Sequence, residues 1–217
     1  MKRDCVFLLA DKNMRASFEG FFSRQGFQQS LGCGWIDIDP MQDLIFAAGD
    51  NDPGLYTRAH ELLRPFLNTH RHAVVVLDAL WDGSPGAINI CTHIESLLSV
   101  NGWETDQCVV IVIDPELENW VWQRSIHVAR EIGFDNIDEM NADVDLLNAW
   151  PEKQYKPTTP KETLETILRK KRIPRSSAIY RNITAKVSIS DCRDEAFIKL
   201  IGKLREWFPP DIGEVTL

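Results

Sequence analysis

The order of apolar and polar residues divides this chain into two unlike parts. Three unbroken apolar runs, Val6-Phe7-Leu8-Leu9-Ala10, Val74-Val75-Val76-Leu77 and Val109-Val110-Ile111-Val112-Ile113, alternate with amphipathic stretches. Runs of this length, rich in β-branched residues and followed by helical spacing, read as strands buried on both faces of a parallel sheet. Each run is followed by a carboxylate: Asp11, Asp78 and Asp114. A strand is also expected over Leu44 to Ala48, and a shorter one over Gly34 to Ile38. Between them, helical spacing predicts a helix over Asn13 to Gln25, with Met14, Phe18, Phe21 and Phe22 on one face and Gly26 as its stop. A second helix follows the turn cluster Gly49-Asp50-Asn51-Asp52-Pro53-Gly54 and buries Leu55, Ala59, Leu62, Leu63 and Phe66. The third buries Ile88, Cys91, Ile94, Leu97 and Leu98, with Ser84 suited to its cap and Pro85 to its first position. Such alternation predicts an α/β fold, a mostly parallel sheet flanked by helices.

Beyond about Trp122 the pattern changes. Residues 135–145 are acidic and weakly periodic, and 151–160, with three prolines, read as an irregular connector. Thr159-Pro160-Lys161-Glu162 opens a helix that ends at Arg169-Lys170-Lys171-Arg172. A last helix is expected from about Asp191 to Trp207, with Phe197, Leu200, Ile201 and Leu204 on one face. The division that follows is an α/β core over 1–125 and a mainly helical C-terminal region over 126–217 packed on it. No internal repeat and no low-complexity tract is found.

Composition narrows the classes. A chain of 217 residues, 44% hydrophobic and 26% charged, can bury a sizeable single core. Its formal net charge of −8 argues against broad, nonspecific nucleic-acid binding but leaves room for a local basic patch. No apolar run reaches membrane-spanning length, and the apolar start lacks a small-residue cleavage site. The expectation is therefore a cytoplasmic protein with no membrane partner. Five cysteines are scattered without a CxxC pair, so buried free thiols are expected. The five histidines show no zinc-ligand spacing with them.

Chemistry concentrates in the acids. In an open α/β sheet, ligands bind beyond the carboxyl ends of the strands. Asp11, Asp78 and Asp114 fall there, with Asp82, Glu116 and Glu118 close behind, and clustered carboxylates suit Mg²⁺ or Mn²⁺. A single Asp after a strand is more simply a turn or helix cap. For the three together, a site and a set of caps weigh equally. In Asp114-Pro115-Glu116-Leu117-Glu118-Asn119-Trp120, Asp114 suits an N-cap and Pro115 the first helical position. The helix dipole then favours acids in the first turn by roughly 0.3–1 kcal/mol each. Residues four apart share a face, so Asp114 and Glu118 are expected to reach one ion while Glu116 points elsewhere. Asp50 and Asp52 read as turn and cap residues. Lys12 is a solvated lysine by default and a phosphate contact in the sharper reading. Arg169, Lys170, Lys171, Arg172 and Arg175 form the one strong basic cluster: a solvated helix end, or a seat for a nucleic-acid backbone or an acidic partner. Neither a nucleophile elbow, a P-loop nor a GxGxxG fingerprint is present.

Asp11 after the first strand, Asp78 and Asp82 after a later one, and the Glu118-Asn119-Trp120 helix start together resemble a Toprim domain. That domain occurs in topoisomerases, primases and the OLD-type and RloB-like nucleases of phage defence. The strings Ala10-Asp11-Lys12-Asn13-Met14, Val76-Leu77-Asp78 and Ile113 to Trp122 further resemble a small component of bacterial methylation-associated defence systems. The resemblance covers about the first 125 residues. It implies an acid at the first strand end and an Asp-x-Asp pair holding Mg²⁺ or Mn²⁺ for phosphodiester hydrolysis of DNA or RNA, alongside other defence-system proteins. Asp11, Asp78, Asp82 and Glu118 would be catalytic, with Asp114 as a further metal ligand. The chain departs from that pattern twice. Asp11 stands where the family has Glu, and the pair is spaced Asp78-x-x-x-Asp82, with Leu80 at the second Asp position. A catalytically inactive Toprim-like scaffold that binds partner proteins is the alternative.

Overall fold

A computed structural model of the chain describes residues 2–46, 48–151 and 154–210. The apolar runs form the sheet. Strands β1 (Arg3–Leu9), β2 (Leu44–Phe46), β3 (His70–Asp78) and β4 (Cys108–Ile113) lie in the order β2-β1-β3-β4, all parallel. Phe7 pairs with Leu44 on one side and Val74 on the other, and Val76 pairs with Ile111. Val6 to Leu9, Ala73 to Leu77 and Val109 to Ile113 are all buried, as strands covered on both faces must be.

Helices α1 (Lys12–Phe22) and α2 (Phe27–Leu31) lead from β1 to β2, and α3 (Asn51–Leu63) leads from β2 to β3. Between β3 and β4 runs α4 (Ala87–Val100), packed beside α3 and against β4. After β4 come α5 (Glu118–Val121), α6 (Ile126–Glu131), α7 (Ile137–Leu146), α8 (Pro160–Lys171), α9 (Ser177–Thr184) and α10 (Glu195–Trp207). From β1 the chain turns first to β2 and then crosses back to β3, so the topological switch lies between β1 and β3. Their carboxyl ends carry Asp11 and Asp78.

The C-terminal helices share the sheet's core. α10 packs on β4, and α9 lies along α1. At Gly20 the approach is so close that a Cβ would collide with the Arg181 carbonyl and the Thr184 hydroxyl. The Thr184 hydroxyl donates to the Ser17 carbonyl at 2.8 Å. Phe18, Trp120 and Phe197 link α1, α5 and α10, with centroids 6.2 and 5.2 Å apart. Asp194, the N-cap of α10, accepts from Asn119 Nδ2 and Trp120 Nε1, both at 2.8 Å.

Several local expectations are corrected. Residues 34–38 are not a strand: the Gly34 amide pairs with the Phe208 carbonyl, and among the described residues no strand pairs with them. α1 ends at Phe22, and Gly26, at φ 70°, opens α2. Ser84 does not cap α4; its hydroxyl donates to the Ala79 carbonyl and accepts from the Gly86 amide, and the helix begins at Ala87. Part of the acidic stretch is α7, where Asn136 caps the Glu139 amide and Met140 and Val144 are buried. α10 begins at Glu195, not Asp191. Of the expected 151–160 connector, 152 and 153 lie outside the described residues, and 154–159 are irregular. All five cysteines are free thiols. Among the described residues, no helix is long and apolar enough to cross a membrane.

Candidate acidic site at the carboxyl edge of the sheet

Buried acids at the two ends of the sheet are treated differently. At the amino end, Asp43 is fully buried and fully partnered: Arg3 donates from Nε and Nη2 at 2.5 and 2.7 Å, His70 Nε2 lies 3.1 Å away, and the Asp39 amide donates at 2.6 Å. At the carboxyl end, Asp78 Oδ1 is buried with no hydrogen-bond partner among the described residues. An unpaired buried carboxylate oxygen is costly, so such an atom is a marker of chemistry.

Asp78 is the last residue of β3, and its own amide donates to Asp52 Oδ1 at 2.8 Å. Burial first, and then the charges of Asp52, Glu118, Asp11 and Glu116, push its pKa well above the ordinary aspartate value of 3.8. Asp52, in the first turn of α3, is raised too, by burial, with the Asp78 amide opposing and the Asp11 charge adding. Asp11 is the N-cap of α1, its Oδ1 accepting from the Met14 amide at 2.7 Å. The cap engages one of the two carboxylate oxygens.

The segment after β4 supplies two more acids. The Pro115 carbonyl accepts from the Ala79 and Leu80 amides at 3.2 and 3.0 Å, which ties residues 114–117 to the end of β3. Glu116 is buried; its Oε1 accepts from the Lys161 amide at 2.9 Å, and Lys161 Nζ lies 4.0 Å from Oε2. Burial raises its pKa, while the Lys161 amide opposes. Glu118 is buried on α5, and its Oε1 accepts from Arg175 Nη2 at 2.6 Å and from the Tyr180 hydroxyl at 2.5 Å. Burial and then the Glu118 charge push the Tyr180 pKa far up.

Five carboxylates therefore meet two cations, Lys161 and Arg175, at one edge. Among the described residues, no three or more His, Cys, Asp or Glu side chains are placed so that together they could hold a metal ion. The donor set is all hard oxygen, which fits Mg²⁺ or Mn²⁺ by ligand type.

The sequence-derived set divides. Of Asp11, Asp78 and Glu118, the first and last act on Asp78 through their charge. Asp82 is exposed in the loop after β3, and its charge is not among those acting on Asp78. Asp114 is exposed and does not share a helical face with Glu118, because α5 starts only at Glu118. Glu116, expected to point elsewhere, acts on Asp78 instead. Asp52 and Glu116 were outside the expected set. Asp52 lies in the first turn of α3 and not directly after β2, and the Gly49–Gly54 turn composition reads it as a cap.

The basic cluster disperses. Lys170 pairs with Asp143 and Lys171 with Glu139, each at 2.8 Å, and Lys171 Nζ sits 3.8 Å from the Phe134 ring centroid. Arg169 and Arg172 are exposed at the end of α8, with Arg172 in the left-handed region at φ 57°. Arg175 alone joins the acids, bridging Glu118 and Glu165. Lys12 is exposed in the first turn of α1. No family model matches the chain, and neither a curated protein nor a solved structure shows significant similarity to it.

Proposed function

We propose that the carboxyl-edge acids hold a divalent cation and serve phosphodiester hydrolysis on nucleic acid, in a Toprim-like protein of a bacterial anti-phage defence system. The observation that carries this reading is Asp78 Oδ1, buried and unpartnered among like charges. Repulsion of this kind is relieved by a cation, and Asp78, Asp52 and Asp11 are the acids with oxygens to offer it. Bound Mg²⁺ or Mn²⁺ supplies charge for a phosphoryl oxygen and a more acidic water. Glu118 is held by Arg175 and Tyr180, so its part is to position Arg175 beside the acids, where a guanidinium suits a phosphate. Asp52, in the first turn of α3, is the acid that accepts from the Asp78 amide and so stands next to Asp78. Asp82 drops out of the metal set. Free thiols on all five cysteines agree with a cytoplasmic location.

A second reading, an inactive scaffold that docks partner proteins, is favoured by one observation: Glu118 is already satisfied by protein groups. Cleavage of single- and double-stranded DNA and RNA with Mn²⁺, alone and with co-purifying partners, separates the two. The proposal expects slow Mn²⁺-dependent cleavage, faster with partners and lost in Asp78→Ala. Cleavage that survives the substitution, or none under any condition, would remove the nuclease reading.

A further inference from the structure

Beside the acidic site runs a groove of about 260 Å³ between α1 and α9, lined by Lys12, Arg15, Glu19, Phe46, Ser177 and Arg181. Its charge is opposite to that of the molecule. Three cations face one carboxylate in a chain of net charge −8. Lys12 and Arg181 are exposed, and neither makes an ion pair among the described residues. Arg15 Nε lies 3.0 Å from Glu19, and its guanidinium carbon lies 5.7 Å from the Phe46 ring centroid.

Groove and acidic site are built from the same two segments. The start of α1 gives Asp11 to the acids and Lys12 and Arg15 to the groove. The stretch into α9 gives Arg175 to Glu118, and then Ser177 and Arg181 to the groove. Ser177 Oγ donates to Asn13 Oδ1 at 2.8 Å, which pins one segment to the other where the two sites meet.

We propose that this groove binds the backbone of single-stranded nucleic acid and leads it to the acidic site. The inference deepens the function proposed above and rests on a phosphodiester being what arrives there. A cationic groove beside an aromatic ring is the arrangement that tracks a flexible strand, with phosphates on Lys12 and Arg181 and a base against the Arg15–Phe46 pair. One strand fits better than two, because α1 and α9 close on each other at Gly20 and Asp78 is recessed at the strand end. An acidic protein segment would meet the same cations but offers no planar base for the Arg15–Phe46 pair.

The test is fluorescence anisotropy of a labelled oligonucleotide of about 12 nucleotides, within the usual single-strand site size, in EDTA so that cleavage and metal bridging are absent. The probes are single-stranded DNA, single-stranded RNA and a hairpin duplex, with polyglutamate as competitor. The doubly substituted Lys12→Glu/Arg181→Glu protein is expected to bind roughly tenfold or more weakly. Its slope of log K against log salt should become shallower by about 0.7 for each phosphate that is no longer neutralised. The charge-matched control Arg169→Glu/Arg172→Glu, at the exposed end of α8, should bind as the wild type does, and Phe46→Leu should bind more weakly while folding normally. Circular dichroism and thermal melting of every variant guard against unfolding. Equal weakening in the α8 control, duplex binding as tight as single-strand binding, or displacement by polyglutamate as effective as by unlabelled oligonucleotide would overturn the proposal. Mn²⁺ calorimetry keeps the two readings apart. Metal binding without oligonucleotide binding removes the groove alone, and the converse removes the metal site alone.

Discussion

Asp78 and Asp43 show how one residue type takes opposite roles according to what surrounds it. Asp43 is stabilised by Arg3 and by backbone and imidazole partners, whereas Asp78 is desolvated among acids. The groups facing Asp78 are Asp11, Asp52, Glu116 and Glu118, with Lys161 and Arg175 acting on its neighbours. Its folded pKa is raised, so the folded chain holds this proton to higher pH than the unfolded chain does. The contribution to stability is full below the ordinary value of 3.8 and is lost as pH rises through the raised value. Asp78→Asn should therefore stabilise the metal-free protein near neutral pH, seen as a higher melting temperature. The gain should shrink as pH falls, and Mn²⁺ should stabilise the wild type but not the variant. Melting curves across pH check this, and a destabilised variant at neutral pH would contradict it. Asp11 and Asp78 were legible in the sequence because each directly follows an apolar run. Glu116 was not, because its placement depends on the Pro115 carbonyl binding amides from β3, a contact between distant segments that no local spacing encodes.

At the scale of elements, the three long strands were legible because full burial leaves an unbroken apolar string. Helices α6 and α9 were not, being six and eight residues long, too short for periodicity to stand out. α9 buries Ile179, Tyr180 and Ile183 and exists through its packing on α1. Gly20 is the position that permits this. Gly20→Ala would gain helix propensity worth up to about 1 kcal/mol, yet its methyl group would meet the Arg181 carbonyl, which is backbone and cannot rotate away. The collision should win, with a net loss of about 1–3 kcal/mol in urea unfolding. Because Arg181 and Arg175 sit on or before α9, oligonucleotide binding should weaken as well. A stabilised Gly20→Ala protein would mean that the two helices stand farther apart.

For the whole molecule, strand order is what the sequence withheld. Apolar runs predict strands, but the β2-β1-β3-β4 order is what places the switch between β1 and β3, while the parallel pairing puts the carboxyl ends of all four strands at one edge. The C-terminal helices then complete that edge: α8 brings Lys161, and the approach to α9 brings Arg175. On the function proposed above, this edge holds a divalent cation. A crystal soaked in Mn²⁺ and measured for anomalous scattering tests it most directly. A peak is expected within about 2.0–2.3 Å of an Asp78 oxygen, with Asp52 or Asp11 as a second ligand and Asp82 and Asp114 outside the coordination shell. No peak at saturating Mn²⁺, or a peak held by Asp82 and Asp114 away from Asp78, would contradict it.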